Sequence, residues 1–478
     1  MIGWAGLLGL VLVAAPARSA DRAAPPPVAP PSPPPPPVVW VGALRDGAIP
    51  VWGVERSSLP LARVELSLDV SALTGTFSPG ALDALGAVWS EAGAPEVRAE
   101  LEGLGVALVV GCGAVRCWFA LEAPVDVLAA ALPGVSSLLR EPRFSERALA
   151  RWRRAARLEW RTDWLGPGLV HARALGRLTW APAHPYRQDR ARAAFAVGVT
   201  QVRAAWRTVL AQATPSVVVV GDLPSSRALP LLEGAFGSLG AAAAGLERVL
   251  PVAVPPPLPV AVGDAERHVF VHTPGANQAL VTVAWAGPAP SAPDHAAYAL
   301  AFRALAGGFS ARLTQRLRER DGLTYRVDGS STEEAGYGRS EVELAVDPER
   351  LPAALAALRE ELDVAHTDGF SEDEVAAARH QTWVEGAVET STFAGLAQSL
   401  WLDRRDGRPP GTALIHLSMY QDVSVAEVNA AARRWLGAPR LWLVSADGGL
   451  VEPALDEARW AIDTRWSACH AVYGGRCP

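Results

Sequence analysis

EPRFSE at residues 141–146 and DGFSE at residues 368–372 are two versions of one sequence pattern, and each opens a helical stretch. A second pair follows the first: residues 198–202 (GVTQV) and 422–425 (DVSV) each begin a helix that runs into an apolar strand. The first pair is offset by 226 residues and the second by 224. A near-constant offset between separate elements predicts a tandem duplication.

Each copy begins with strands and continues with helices. Residues 64–68 alternate between apolar and polar side chains, as in a half-buried strand, and residues 280–285 do the same in the second copy. Ser371 and Glu374 predict a capping box at one helix start. The predicted helices lie near residues 80–92, 97–103, 145–161, 199–212 and 225–235 in the first copy and near 294–306, 310–320, 350–366, 371–390 and 424–436 in the second. We expect an α+β fold of two tandem α/β sandwich domains, each a mainly antiparallel sheet with helices on one face.

Composition excludes several classes of protein. The chain has 478 residues, half of them hydrophobic and only 20% charged, so it is not a wholly disordered chain. The net charge is −6 and no segment combines basic density with aromatic residues, which argues against nucleic-acid binding. All 44 cationic residues are Arg, which excludes Schiff-base and P-loop lysine chemistry.

The N-terminal segment has the features of an export signal. Residues 7–15 are an apolar run followed by small residues, and residues 25–37 form a polyproline spacer. No later stretch has 18 continuous apolar residues, so no membrane span is expected after signal cleavage. We expect an exported protein, periplasmic or extracellular. Because no Lys or Arg precedes the apolar run, an uncleaved anchor in the inner membrane is the alternative.

These features divide the chain into six segments. The second proline-rich stretch, at residues 251–259, separates the two copies. The expected segments are the signal peptide 1–20, a Pro-rich linker 21–38, an N-terminal domain 39–240, a Pro/Ala-rich linker 241–266, a C-terminal domain 267–450 and a tail 451–478 with a cysteine pair.

Short motifs distributed along both copies carry a family resemblance. They are SLPL (58–61), REPRF (140–144), HPY (184–186), VVGD (219–222), GGFSARL (307–313) and RERDGLTY (318–325). In this order they resemble the pitrilysin/insulinase family of inverted zinc metallopeptidases, especially its short bacterial members and the mitochondrial processing peptidase. The likeness covers about residues 38–447.

The zinc motif of that family is missing. The family's catalytic helix carries His-x-x-Glu-His, whereas this chain has Asp83, Gly86 and Ala87 at the three key positions. Gly and Ala offer no donor atom, and a catalytic zinc needs three protein ligands. Glu159 lies near the position of the family's third ligand, although a solvated helix charge is the commoner role. The resemblance therefore implies a chain without metal or cofactor, inactive alone, with zinc only in a partner subunit.

The histidines offer one other possible metal site. His268 and His272 share one face of a strand-like segment, so a two-His site is conceivable, but no carboxylate pair accompanies them. His184, in the His-Pro-Tyr turn, is expected to be structural.

The resemblance also implies a second set of site residues. In the family, the C-terminal domain supplies an Arg and a Tyr, seven residues apart, that face the zinc across the substrate. Arg318 and Tyr325 match this spacing, and their donors can stabilise the oxyanion of a scissile carbonyl. Gly307 and Gly308 would form a flexible loop at the substrate chamber. The alternative for the Arg/Tyr pair is that the spacing arises by chance, and the alternative for the glycine pair is an ordinary helix–helix turn.

In the short bacterial members, the zinc and Arg/Tyr functions are often divided between two subunits of a heterodimer. The resemblance thus implies a catalytically incompetent subunit that supplies Arg318 and Tyr325 in trans to a zinc-bearing homologue, for hydrolysis of peptides or unfolded polypeptides. The alternative is a non-enzymatic peptide-binding or envelope assembly protein derived from the family. The missing ligands argue against a third possibility, a self-sufficient hydrolase.

The four cysteines predict two local disulfides. Cys112 and Cys117 flank a four-residue loop between two strand-like runs, so a hairpin would bring their Cβ atoms opposite each other. Cys469 and Cys477 lie close together in the C-terminal tail. A four-thiolate zinc site that unites hairpin and tail is the alternative.

Overall fold

Two six-stranded sheets, one from each half of the sequence, form the framework of the protein. The computed structural model describes residues 38–73, 75–78, 80–89, 95–163, 166–182, 184–187, 195–239, 265–334, 336–457 and 460–473. The predicted signal peptide and nearly all of the two predicted linkers lie outside the described residues. All elements named below belong to one compact unit, Pro35–Pro478.

The two sheets have the same strand order at five of their six positions. The first contains β1 (Val39–Leu44), β2 (Ile49–Glu55), β3 (Leu61–Asp69), β4 (Ala107–Cys112), β5 (Arg116–Pro124) and β6 (Thr214–Gly221), in the spatial order β1-β2-β6-β3-β5-β4. The second contains β7 (Arg267–His272), β8 (Ala279–Gly287), β9 (Thr324–Glu334), β10 (Tyr337–Val346), β11 (Leu441–Ala446) and β12 (Thr464–Ser467), in the order β12-β7-β11-β8-β10-β9. In both, one internal pair is parallel and the next three pairs are antiparallel. The predicted two-domain α+β fold is confirmed.

The two sheets differ at one edge. In the first sheet the edge strand next to β2 is β1, which precedes β2 in the chain and runs antiparallel to it. In the second sheet the corresponding position is held by β12, which comes from the C-terminal end and runs parallel to β7. The segment interpreted from sequence as a tail therefore supplies a strand to the second sheet.

The helices lie close to their predicted positions, and several more are present. They are α1 (Ala81–Trp89), α2 (Pro95–Gly103), α3 (Leu128–Arg140), α4 (Glu146–Asp163), α5 (Pro167–Thr179), α6 (Val199–Gln212) and α7 (Ser225–Phe236) in the first half, and α8 (His295–Ala306), α9 (Arg312–Thr314), α10 (Leu351–Thr367), α11 (Glu372–Thr390), α12 (Phe393–Arg405), α13 (Thr412–Asp422), α14 (Val425–Leu436), α15 (Gly448–Glu457) and α16 (Ala468–Tyr473) in the second. Helices α3, α5, α12, α13, α15 and α16 are absent from the prediction. Internal prolines, Pro133 in α3 and Pro453 in α15, weaken the sequence signal of two of them.

The helices of the first half bury an aromatic cluster against the first sheet. Trp89 of α1 packs edge-on against Phe119 of β5 and Trp206 of α6, with ring centroids 4.9 and 5.2 Å apart. The Trp206 indole also donates to the Leu139 carbonyl at 2.8 Å. These contacts hold α1 in place through its apolar face, independently of any metal.

Each half also sends a helix across the second face of the other half's sheet. Helix α12 packs on β2 and β6 of the first sheet, and α5 packs on β7, β8 and β11 of the second. This corrects the expectation that helices cover one face only. The physical reason lies in the central strands: all residues of β11 and six of the eight in β6 are buried, so both faces of each sheet need cover.

The predicted hairpin disulfide is present. Cys112 at the end of β4 is bonded to Cys117 in β5, and the two residues face each other in the antiparallel register. Cys469 is also disulfide-bonded, and its predicted partner Cys477 lies outside the described residues. In the described part of the chain, no helix combines the length and apolar character that a membrane span requires.

Candidate functional site

Arg318 and Tyr325 lie on either side of a change from helix to strand. The short α9 continues as a π-helix, Gln315–Arg320, which carries Arg318. The chain then turns at Gly322, where φ is +59°, and enters β9 with Tyr325 as its second residue. Short π-helices occur often at functional sites because the wider turn re-aims side chains.

The two predicted residues come together with a third to form an exposed cluster. The guanidinium carbon of Arg318 lies 4.9 Å from the centre of the Tyr325 ring and 5.2 Å from that of Phe309. Phe309 is 73% exposed and Tyr325 is 82% exposed. We call these three residues the Arg318 cluster. Two large aromatic side chains held in solvent around one cation are typical of an interaction surface.

Phe309 is the member of this cluster that the sequence did not single out as a site residue. It follows the predicted loop residues Gly307 and Gly308, which end α8. A Cβ on Gly307 would lie 2.7 Å from the Arg303 carbonyl oxygen, and Gly308 has φ +124°, so both positions require glycine. The glycine pair is thus a helix end that also turns Phe309 outward. A large apolar residue directly after two glycines was the available signal.

The loop between α8 and the π-helix is fixed to α11 by side chains. Arg312 donates two hydrogen bonds to the Glu374 carboxylate, both 2.8 Å long, and stacks over Phe370. Although burial raises the pKa of Glu374, hydrogen bonds from Arg312 and Ser371 outweigh it and keep that pKa below its usual value. Glu374 and Phe370 belong to the second copy of the repeated pattern and its helix start, so the duplicated motif helps to position the Arg318 cluster.

A groove of about 480 Å³ opens beside Gly307 and Gly308, between α8 and β9. Its polar groups include His295, 3.1 Å from the Glu333 carboxylate, and Arg303, paired with Glu385 at 2.7 Å. β9 is the edge strand of the second sheet. Among the described residues β9 pairs with β10 alone, so the groove lies beside a strand edge, which can accept an extended peptide.

The disulfide hairpin packs against helix α1, which carries the three residues that the resemblance placed at the family's zinc-motif positions. A Cβ on Gly86 would lie 2.9 Å from the Cys112 backbone nitrogen, so the β4–β5 hairpin occupies the space next to this position. Asp83 is partly buried and Ala87 is exposed. The described residues contain no group of three or more His, Cys, Asp or Glu side chains that could hold a metal ion. These residues do not fit a zinc ion.

The other residues considered for zinc have separate contacts. The His268 Nδ1 lies 3.4 Å from the Asp463 carboxylate and its Nε2 lies 3.4 Å from the Arg359 guanidinium, whereas the His272 ring accepts from the Gly448 backbone at 2.9 Å. His184 stacks on Trp180 with ring centroids 4.2 Å apart. Glu159 lies in α4.

A family model matches the middle of the chain. Residues 196–382 match the model described as the peptidase M16 inactive domain, where M16 denotes the pitrilysin/insulinase family. This segment includes the whole Arg318 cluster. The sequence matches no curated protein.

Solved structures share the fold over most of the chain. The peptidase M16 inactive domain from Pseudomonas fluorescens is 20% identical, with a TM-score of 0.70, and the match covers 85% of this chain and 98% of that one. A protease from Helicobacter pylori is 15% identical, with a TM-score of 0.70 and coverage of 86% and 100%. The periplasmic protease PqqL from Escherichia coli is 15% identical, with a TM-score of 0.69, and the match covers 83% of this chain but 44% of PqqL.

Proposed function

We propose that this chain, whose residues 196–382 match the inactive domain of M16 peptidases within a two-domain M16-like fold, is the zinc-less subunit of a heterodimeric peptidase. The observation that carries the proposal is the exposed Arg318 cluster in a protein whose α1 offers too few donors to hold zinc. The partner is a homologous subunit that bears the zinc. This chain adds no cofactor of its own.

The role of the Arg318 cluster in such a complex is to hold the substrate carbonyl. Arg318 is permanently charged and its side chain is 29% exposed, so its N–H groups can reach a substrate oxygen. The Tyr325 hydroxyl adds one donor, and stacking against Arg318 limits the orientations of both groups. Donors fixed in this way stabilise the oxyanion that develops during peptide hydrolysis. Zinc in the partner would activate the attacking water.

The substrate class that suits the site is a peptide or an unfolded polypeptide. The groove along β9 offers an open strand edge, to which extended backbone can add by hydrogen bonding. The N-terminal segment resembles an export signal, and a similar fold belongs to a periplasmic protease. These points support a role in the periplasm or outside the cell.

The test is reconstitution with a zinc-bearing homologue from the same organism. Arg318→Ala or Tyr325→Phe should lower kcat by about 10²–10³, the usual loss for one oxyanion donor, and leave assembly intact. Arg320→Ala is the matched control, because Arg320 lies in the same π-helix but points its guanidinium at Asp321 and Glu361.

Unchanged turnover in both site variants would contradict the proposal. Peptide binding by the heterodimer or by the chain alone, without any turnover, would favour the alternative of a non-enzymatic peptide-binding protein.

A further inference from the structure

The π-helix that carries Arg318 is attached to α10 by a charged side chain on its other side. Arg316 lies two residues before Arg318, so its side chain leaves the helix on nearly the opposite side. Its guanidinium group faces α10, where it lies 3.1 Å from the Glu360 carboxylate and 3.5 Å from that of Glu361. The attachment therefore leaves Arg318 on the side of its aromatic neighbours.

Arg316 and Asp321 close the turn of the π-helix twice. The Asp321 backbone N–H donates to the Arg316 carbonyl at 3.0 Å, and the Arg316 Nε donates to the Asp321 carboxylate at 2.6 Å. Residues five apart meet in this way in the wide π-turn, whereas in an α-helix the neighbours are three and four apart. The α-helical neighbour of Arg316 would be Arg320, a like charge that offers no acceptor. The charge pattern of residues 316–321 thus favours the wide turn.

Burial and geometry distinguish Arg316 from its neighbour Arg320. An isolated ion pair on a protein surface adds little stability, but the three nitrogens of the Arg316 guanidinium face three different carboxylates and form a network. The Arg316 side chain is 23% exposed and that of Glu361 is 13% exposed. The Arg320 side chain is 58% exposed, and its contacts with carboxylates are 3.5 Å long. Removal of Arg316 should therefore loosen the turn, and removal of Arg320 should not.

The same turn sets the start of β9. The Leu323 N–H donates to the Leu317 carbonyl at 2.7 Å. The Gly322 carbonyl accepts from Arg350, which directly precedes α10. Tyr325 follows as the second residue of the strand. A change in the π-turn would therefore alter the relative position of the two donors in the Arg318 cluster without removing either of them.

We propose that Arg316 and Asp321 are positioning residues for Arg318: their ion pair closes the π-turn and holds the Arg318 guanidinium over the Tyr325 ring. An oxyanion donor is effective only when it is fixed where the charge develops, so this closure matters for catalysis. That consequence rests on the proposed function, in which Arg318 holds the substrate carbonyl. The closure itself is a property of this chain alone and is measured without the partner.

Hydrogen–deuterium exchange of the full-length chain alone tests the closure of the turn. Arg316→Ala and Asp321→Ala should each raise the amide exchange rate of residues 317–323 about tenfold, because exchange in a folded protein follows the free energy of local opening. The double variant should exchange no faster than Arg316→Ala, since the two residues form one contact. Arg320→Ala is the matched control and should change the rate by less than about twofold.

The heterodimer with the zinc-bearing homologue tests the positioning role, with dye-labelled, carboxymethylated casein as the unfolded substrate. Arg316→Ala should lower kcat about tenfold and change KM by less than about twofold, because the oxyanion donor is present but misplaced. In the Arg318→Ala background the same substitution should have no further effect, since Arg316 acts through Arg318. A general loss of stability would lower turnover equally in both backgrounds.

Equal exchange rates in the natural chain and in the Arg316→Ala and Asp321→Ala variants would overturn the proposal. So would a loss of kcat from Arg316→Ala that persists in full in the Arg318→Ala background. Faster exchange with an unchanged kcat, while Arg318→Ala lowers kcat, would overturn the positioning role. If Arg318→Ala itself leaves turnover unchanged, the proposed function fails and the positioning role fails with it, whereas the exchange rates still decide whether the ion pair closes the turn.

Discussion

Acid should destabilise this protein through His171, a buried residue at the contact between the two halves. His171 lies in α5 and is 2% exposed. Its two ring nitrogens lie 2.8 Å from the Ser445 hydroxyl and 2.7 Å from the Thr282 hydroxyl, both in the second sheet. Burial disfavours the charged imidazolium and lowers the pKa of His171 to about 4.

The sign and size of the effect follow from this pKa. The unfolded chain takes up a proton near pH 6.5, whereas the folded chain does so only near pH 4. The stability that His171 contributes is therefore complete above pH 6.5 and is lost as the pH falls from 6.5 towards 4. At about 1.4 kcal/mol per pH unit, the loss is about 2 kcal/mol at pH 5 and about 3 kcal/mol below pH 4.

Urea unfolding at pH 7, 6 and 5 measures this loss. The comparison is between the natural chain and the His171→Gln variant, whose amide can bond both hydroxyls but does not titrate. Burial also lowers the pKa of His184 and of His268, but both residues are present in both proteins, so their contribution cancels. The stability difference between the two proteins should shrink by about 2 kcal/mol from pH 7 to pH 5. A stability difference that stays constant from pH 7 to pH 5 would show that His171 is not the group responsible.

Three further predictions concern the helix α1, its neighbouring hairpin and the tail. The purified chain should bind no stoichiometric zinc and cleave no unfolded peptide alone, and chelator-sensitive cleavage by a clean preparation would contradict this. Gly86→Ala should destabilise the protein, because the new Cβ would lie 2.9 Å from the Cys112 backbone nitrogen. Gly234→Ala in the interior of α7 places its Cβ in open space and should stabilise the protein by about 0.5–1 kcal/mol. Chemical denaturation compares the two variants, and equal effects would argue against close packing at α1. Mass spectrometry of a non-reduced digest should show a Cys469–Cys477 peptide, and a peptide that links either residue to the hairpin would disprove that pairing.

Features with a local physical cause could be predicted from the sequence. The capping box is one example: Ser371 accepts from the Glu374 backbone, and the Glu374 carboxylate accepts from Ser371 in return. The hairpin disulfide joins residues five apart, and the helix positions follow from apolar periodicity. The identity of the Arg318–Tyr325 pair came from spacing and from the family resemblance. All of these signals lie within a few turns of chain, where the backbone geometry fixes which side chains can meet.

Which helix covers which sheet face could not be predicted, because it depends on the packing of segments that are distant in sequence. The apolar residues of β6 and β11 show that both sheet faces are buried, but nothing in a strand's pattern identifies the helix that covers it. His171 is hydrogen-bonded to Ser445, which is 274 residues away in the sequence, and Arg116 is hydrogen-bonded to Gln398, which is 282 residues away. The polar face of β3 likewise looks solvated until α12 is placed over it, which creates a cavity at Ser67. Periodicity reports the environment that a side chain requires, whereas its partner depends on how distant segments pack together.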